Sequence, residues 1–137
     1  MPLNAYLNFN GNTREVVEFY AEVFGVEADI MTFGSMPADP ANPLPPGSEN
    51  LVMHARLTIE GSDLMFSDVF PGMPFQQGNN ISLSFSSKSE AAVREAFHKL
   101  KEGGSITMEL QETFWSKCYG MVTDKFGIGW QFNYINE

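Results

Sequence analysis

The sequence predicts an α+β protein made of two βαβββ modules whose strands enclose a polar cavity. An alternation of polar and apolar residues at 4–9 recurs 76 positions later, at 80–85. A helix pattern and further strand patterns follow each copy in the same order. Since side chains alternate across a strand, each predicted strand also has one apolar and one largely uncharged polar face.

The first module begins with a strand at residues 4–9. Asn12 is the predicted N-cap of the helix that follows, with Glu15 completing a capping box, and Gly25 ends this helix. A turn at residues 60–62 predicts a hairpin. The three strand patterns after the helix lie at residues 27–33, 51–60 and 64–68.

The second module repeats this order from a strand at residues 80–85. Ser87 and Glu90 are the predicted capping box of its helix, which Gly103 and Gly104 close. Its later strands are predicted at residues 106–112, 117–123 and 128–135. The whole chain, 1–137, is therefore expected to form one domain of two modules, 1–68 and 80–137, joined by a linker at 69–79.

Residues 34–50 contain five of the eight prolines, which do not allow a regular strand ladder. We expect a long irregular loop here, either a functional lid over a site or a flexible insertion.

Composition excludes several classes of protein. Eight basic against seventeen acidic residues give a formal charge of −9, which opposes binding to nucleic acid or to an anionic membrane. No apolar run reaches the roughly 20 residues of a membrane span, and no signal-peptide pattern is present, so a cytoplasmic location is expected. One cysteine and two histidines exclude an internal disulfide, a cysteine-rich zinc site and a three-histidine zinc site.

The polar strand faces carry amides and hydroxyls, which both donate and accept hydrogen bonds. Such faces favour a cavity that orients a small-molecule ligand, although one exposed sheet face is the ordinary alternative. The predicted ligand-binding residues are Asn4, Tyr6, Arg56, Met65, Ser67, Asp68, Asn80, Ser82, Trp115, Tyr119 and Gln131.

Individual candidates each have two interpretations. His54 is the best acid–base candidate, since imidazole exchanges protons near neutral pH, but it could instead donate to a backbone carbonyl. Asp68 could lie at the cavity mouth, pair with His54 on a metal ion, or cap a turn. Trp115 and Tyr119 could stack on a planar ligand, or anchor the core or a dimer interface. Cys118 could be a nucleophile or an inert core residue.

Several segments resemble the glyoxalase/bleomycin-resistance/dihydroxybiphenyl-dioxygenase superfamily, also called vicinal oxygen chelate proteins. YLNFNGN at 6–12, EFY at 18–20 and VFG at 23–25 resemble its strand–helix opening. MHARL at 53–57, GNN at 78–80 and TFWSKCYGMVTD at 113–124 resemble its PhnB-like branch. The resemblance covers nearly the whole chain.

This resemblance implies the glyoxalase/bleomycin-resistance fold, with paired curved sheets, and homodimers. It also implies metal ligands at positions that here hold Asn4, Met65 or Ser67, Asn80 and Gln131. None is His, Asp or Glu, and first-row metal ions prefer imidazole or carboxylate, so no cofactor is expected at these positions. We therefore expect a PhnB-like small-molecule-binding protein. The alternative is a lyase, isomerase or dioxygenase-like enzyme with a divalent metal at a non-standard site around His54.

Overall fold

The computed structural model describes residues 3–37 and 39–135, and it divides into two compact units, Met1–Gln76 and Gln77–Glu137. The elements of the first unit are β1 (Ala5–Phe9), α1 (Thr13–Phe24), β2 (Asp29–Thr32), β3 (Val52–Ile59) and β4 (Ser62–Asp68). Those of the second are β5 (Ser82–Ser87), α2 (Glu90–Leu100), β6 (Ser105–Gln111), β7 (Tyr119–Thr123) and β8 (Gly129–Tyr134). Each unit thus has the predicted order βαβββ.

The two sheets share one topology. The strand orders are β1-β4-β3-β2 and β5-β8-β7-β6. In each sheet the first strand runs parallel to the last strand of its unit, and the other neighbours are antiparallel. The predicted α+β class with two mixed sheets is therefore confirmed. An enclosed cavity remains a prediction.

Each helix covers one face of its own sheet. α1 buries Val16, Tyr20 and Val23, and the Tyr20 ring lies 5.9 Å from that of Phe66 on β4. α2 buries its own apolar stripe, with Phe97 against Phe132 at 5.5 Å. Burial of this surface stabilises each unit by about 25 cal/mol per Å² of apolar area.

The N-terminus of α1 is capped from another strand. Asn12 makes no side-chain capping hydrogen bond, so the predicted box with Glu15 is wrong. Asp68, at the end of β4, accepts hydrogen bonds from the backbone N–H of Gly11 and Thr13 through Oδ1, at 3.0 and 3.1 Å. A carboxylate from a residue distant in the sequence replaces the local side-chain cap, because β4 ends beside the start of the helix.

The N-cap of α2 is Ser89, so the predicted box of Ser87 and Glu90 is also wrong. The Ser89 side chain accepts a hydrogen bond from the N–H of Ala92 at 3.1 Å. Ser87 is the last residue of β5, and its Oγ instead accepts from the N–H of Ser89. The strand runs two residues further than the sequence pattern predicts, which moves the helix start.

An irregularity in β3 changes which side chains face the helix. The pairing with β2 shifts between Met31 and Thr32, which pair with His54 and Val52. Val52 is fully buried, whereas Met53, the next residue along the strand, is only half-buried. Beyond the bulge, Ala55 and Leu57 follow the predicted alternation.

Two loops agree with the sequence prediction. Glu60 and Gly61 join β3 to β4 with φ values of 50° and 84°, as a two-residue hairpin turn of the primed type requires. The described residues of the proline-rich segment, 34–37 and 39–50, form no strand. Its base is closed by a bond from the N–H of Gly34 to the carbonyl of Glu49 at 2.8 Å, where a Cβ on Gly34 would lie 2.7 Å from that oxygen.

A concavity of about 500 Å³ lies within this proline-rich loop. Phe33, Met36, Leu44 and Glu49 are among the residues that line it. Asp39 lies there too, and hydrogen bonds from the Asn42 side chain and the Ala41 backbone lower the pKa of its carboxyl group. In the described part of the chain, no helix combines the length and the apolar character needed to span a bilayer.

Candidate functional site

Each sheet has a face turned away from its helix, here called its helix-free face. In the second unit, β5, β7 and β8 place nine residues on this face, and none is buried. Although Asp, Glu, Lys and Arg make up 18% of the chain, none of the nine carries a charge. The nine are Ser82, Ser84, Ser86, Tyr119, Met121, Thr123, Gly129, Gln131 and Asn133.

A chain of hydrogen bonds crosses this face from β7 to β5. The hydroxyl of Tyr119 donates to Oε1 of Gln131 at 2.6 Å, and Nε2 of Gln131 donates to Oγ of Ser82 at 3.0 Å. The structure thus brings three predicted ligand-binding residues together. They could not be paired from the sequence, because the residues of the second bond lie 49 positions apart.

Aromatic rings border the Tyr119 end of this hydrogen-bond chain. The Trp115 ring packs edge-on against Tyr119 at 5.3 Å and is 54% exposed. Phe114 packs on Trp115 at 4.7 Å and is 97% exposed. Because Trp115 is half exposed, its interpretation as a core residue is wrong. An exposed aromatic ring beside polar groups offers a stacking surface to a planar ligand.

Asn133, which the sequence did not single out, lies opposite Tyr119 in the pairing of β7 with β8. Its Oδ1 is buried and has no hydrogen-bond partner. A buried acceptor left unpaired costs about 1–3 kcal/mol, so this oxygen is a local cost to the stability of the second sheet. Asn133 lies two residues from Gln131 on β8, so the alternation of side chains could have predicted that both lie on the same face.

The helix-free face of the first sheet has a different character. The hydroxyl of Tyr6 lies 3.2 Å from Nδ1 of His54, and Oγ of Ser67 donates to Oδ1 of Asn8 at 3.0 Å. His54 thus pairs with a phenol rather than with the backbone carbonyl considered above. Asn8, like Asn133, shares its face with predicted residues but was not singled out.

Met65 lies between two other predicted residues on this face. It pairs with Tyr6 on β1 and with Arg56 on β3. The guanidinium of Arg56 lies 3.5 Å from a carboxylate oxygen of Asp29, and both side chains are at least half exposed. Such an exposed, long ion pair contributes about 0–1 kcal/mol. Asp29 was missed because only the pairing of β2 with β3 brings it here.

Asp68 does not lie on this face. Its side chain is 6% exposed and points to the helix side, where Oδ2 accepts from the N–H of Val52 at 2.8 Å, in addition to the two bonds of Oδ1 described above. Alternation in β4 places Asp68 with Leu64 and Phe66, opposite Ser67. Its prediction as a ligand-binding residue is therefore corrected to a capping role, and the proposed metal pair with His54 is wrong.

The positions implied for metal ligands do not fit a divalent ion. Asn4 and Asn80 are exposed and precede β1 and β5, so they are not on the strands as predicted. The amide of Gln131 is engaged by two hydrogen bonds. Amide, hydroxyl and thioether groups are poor ligands for first-row divalent ions. Within residues 3–37 and 39–135, no three His, Cys, Asp or Glu side chains are grouped for metal binding.

Cys118 is fully buried beneath the start of β7. Burial raises the pKa of its thiol and outweighs the charge of Arg94, which acts in the opposite direction. A thiol with a raised pKa is a poor nucleophile, because the reactive species is the thiolate. Of its two interpretations, the inert core residue fits this environment.

Comparison with known proteins identifies the family. A family model described as 3-demethylubiquinone-9 3-methyltransferase matches residues 2–133. Protein YjdN from Escherichia coli K12 is 36% identical over 145 residues, with 100% of this chain and 97% of that protein covered. The structure of protein PA1353 from Pseudomonas aeruginosa is 36% identical, with a TM-score of 0.85 over 98% of this chain and 97% of that one.

Two further structures support this assignment. A PhnB protein from Bacillus cereus is 30% identical, with a TM-score of 0.74 over 98% of this chain and 100% of that one. A glyoxylase/bleomycin resistance protein/dioxygenase domain from Frankia sp. EAN1pec has a TM-score of 0.64 at 14% identity, over 98% and 96% of the two chains, which shows the shared fold. The chain therefore belongs to the PhnB-like family described as 3-demethylubiquinone-9 3-methyltransferase, with the glyoxalase/bleomycin-resistance fold.

Proposed function

We propose that this protein binds a small neutral molecule on the helix-free face of its second sheet. The observation that carries the proposal is the absence of charge at all nine positions of β5, β7 and β8 on this face, together with the hydrogen-bond chain through Gln131. A sheet face that only meets water commonly carries Lys, Glu, Arg and Asp.

The polar groups of this face already hold one another in place. Because Tyr119, Gln131 and Ser82 are fixed by mutual hydrogen bonds, a ligand that pairs with them requires little further ordering of side chains. The half-exposed ring of Trp115 supplies apolar surface at the same place. A few oriented polar groups beside an aromatic ring is the usual composition of a small-molecule site.

The test is a fragment screen followed by amide NMR on the full chain. We expect some neutral fragments to shift the signals of Ser82, Tyr119 and Gln131 together. Ser84→Arg places a charge in the middle of the face, opposite Gln131, and should abolish these shifts. Ala91→Arg adds the same charge on the exposed surface of α2 and should leave them unchanged. Fragment shifts confined to other regions, or none at all, would refute the proposal.

The protein is also proposed to act as a homodimer, as its family resemblance implies. Large apolar side chains that are almost fully exposed support this: Leu3 is 98% exposed and Phe114 is 97% exposed. Sedimentation equilibrium should give twice the mass of the chain at micromolar concentration. A monomer mass that persists at high concentration would exclude a stable dimer.

A second candidate function is proton transfer by His54, and the specific observation for it is the Tyr6 hydroxyl at 3.2 Å from Nδ1. The Tyr6 hydroxyl orients the imidazole, and when it accepts a hydrogen bond from Nδ1–H, the lone pair of Nε2 is available to a substrate. This is the arrangement that a general base in a lyase or isomerase needs.

This candidate is tested by hydrogen–deuterium exchange of simple carbonyl compounds in D₂O. Catalysed exchange at carbon should disappear in His54→Gln and persist in His98→Gln, which changes the exposed histidine of α2. Equal exchange in both variants would remove His54 from consideration. Elemental analysis of the purified protein tests the divalent-metal version of the same function, and stoichiometric metal that is lost in His54→Gln would support it.

A further inference from the structure

The hydrogen-bond chain on the second sheet has a direction, which follows from its two distances. The bond between Tyr119 and Gln131 measures 2.6 Å, which is typical of O–H···O and shorter than the roughly 2.7–3.2 Å of N–H···O bonds. The bond between Gln131 and Ser82 measures 3.0 Å, as expected for an N–H donor. The amide oxygen of Gln131 therefore points to Tyr119 and its NH₂ group points to Ser82.

This direction gives the two ends of the chain opposite hydrogen-bonding character. Tyr119 uses its only proton on Gln131, so its oxygen can offer only lone pairs to a further partner. Ser82 accepts from Gln131, so its own hydroxyl proton is available for donation. The face thus presents an acceptor on β7 and a donor on β5.

An aromatic neighbour adds a stacking surface at the Tyr119 end. Trp115 is in contact with Tyr119, and its half-exposed ring provides a stacking surface for a planar group. A group that stacks on this ring therefore lies beside the Tyr119 oxygen and gains most if it carries an N–H donor.

We propose that the ligand is a neutral planar amide, with an aromatic or heteroaromatic ring that stacks on Trp115, an N–H donor directed to the oxygen of Tyr119, and a carbonyl acceptor directed to the hydroxyl of Ser82. This inference rests on the proposed function, because it specifies the ligand of the same face. It selects against carboxylates, which carry a charge and lack the donor.

Four matched probes test this on the full chain by NMR titration. Benzamide has the ring, the N–H donors and the carbonyl; N,N-dimethylbenzamide has methyl groups in place of the donors; benzoate replaces them with a negative charge; cyclohexanecarboxamide lacks the aromatic ring. We expect benzamide to bind most tightly, with each of the other three weakened about tenfold, as expected for one lost hydrogen bond or stacking contact.

Two variants locate the effect. Tyr119→Phe removes the acceptor and should abolish the preference for benzamide over N,N-dimethylbenzamide. Ser82→Ala should weaken both amides equally, because both use the carbonyl. If all four probes bind to this face with equal affinity, the inference is wrong while the proposed function stands. If neither these probes nor any library fragment reaches the face, the proposed function itself fails.

Discussion

Replacement of Asp68 by alanine should be among the most destabilising single changes in the first unit. This buried carboxylate accepts three backbone hydrogen bonds, from Gly11 and Thr13 at the start of α1 and from Val52 at the start of β3. It therefore ties the end of β4 to two other elements. A short side chain at this position leaves all three N–H groups without their acceptor.

The magnitude follows from which of these donors can reach water. Gly11 is exposed, so its N–H can be rehydrated, whereas Thr13 and Val52 are fully buried. Each buried donor left unpaired costs about 1–3 kcal/mol, so Asp68→Ala should lower the free energy of unfolding by roughly 2–6 kcal/mol. This is a large part of the about 5–15 kcal/mol that stabilises a typical domain.

Equilibrium unfolding in urea, followed by tryptophan fluorescence and circular dichroism, measures this loss. Asp63→Ala is the matched control, because Asp63 lies on the same strand but accepts only one surface hydrogen bond, from Thr58. Asp68→Asn keeps one oxygen for Gly11 and Thr13 but turns an NH₂ group toward Val52, so it should show an intermediate loss if the alanine variant does not fold. A loss within about 1 kcal/mol of the control would refute the capping role.

Three further predictions concern other buried or capping groups. Thr13→Val removes a fully buried hydroxyl that has no hydrogen-bond partner and should raise the free energy of unfolding by about 1 kcal/mol. The control variant Thr58→Val loses a hydrogen bond to Asp63 and should not be stabilised. A Thr13→Val variant less stable than the wild type would contradict the prediction. Ser89→Ala removes the N-cap of α2 and should cost about 1 kcal/mol in urea unfolding, with Ser89→Asp close to wild type. Burial raises the pKa of Cys118, so the protonated thiol favours the folded state; this stability is fully present below the unfolded thiol value of about 8.5 and is lost as the pH rises through the folded value. Labelling of Cys118 with Ellman's reagent at pH 8 should be much slower in the native than in the urea-unfolded protein. Equal rates would argue against burial of the thiol.

The alternation of residue types was sufficient to sort most strand side chains between the two faces. The limits of the strands were off by one or two residues: Asn80, for example, precedes β5 rather than beginning it. A displacement of two residues leaves every side chain on the same face, because the period of a strand is two. The face assignment therefore survived the boundary error, except at the bulge beside Val52, where one extra residue reverses the alternation.

The roles of the polar residues were harder to predict. Asp68 and Ser67 are adjacent in the sequence, yet one caps a helix in the interior and the other donates to Asn8 on the opposite face. The partners of Asp68 lie 57, 55 and 16 positions away, so no local pattern around Asp68 could indicate which backbone N–H groups it binds. The polar groups of each strand could be read from the residue types, but their hydrogen-bond partners could not.

What the sequence determined by itself is the repeated βαβββ order, the helix stripes and the uncharged polar faces of β5 and β8. These follow from backbone periodicity, which acts over a few residues. Only the tertiary structure decided that Tyr6 meets His54 and that Gln131 connects Tyr119 with Ser82. Such pairs depend on the order and register of strands that are distant in the sequence, and those are fixed only when the apolar faces pack under the helices.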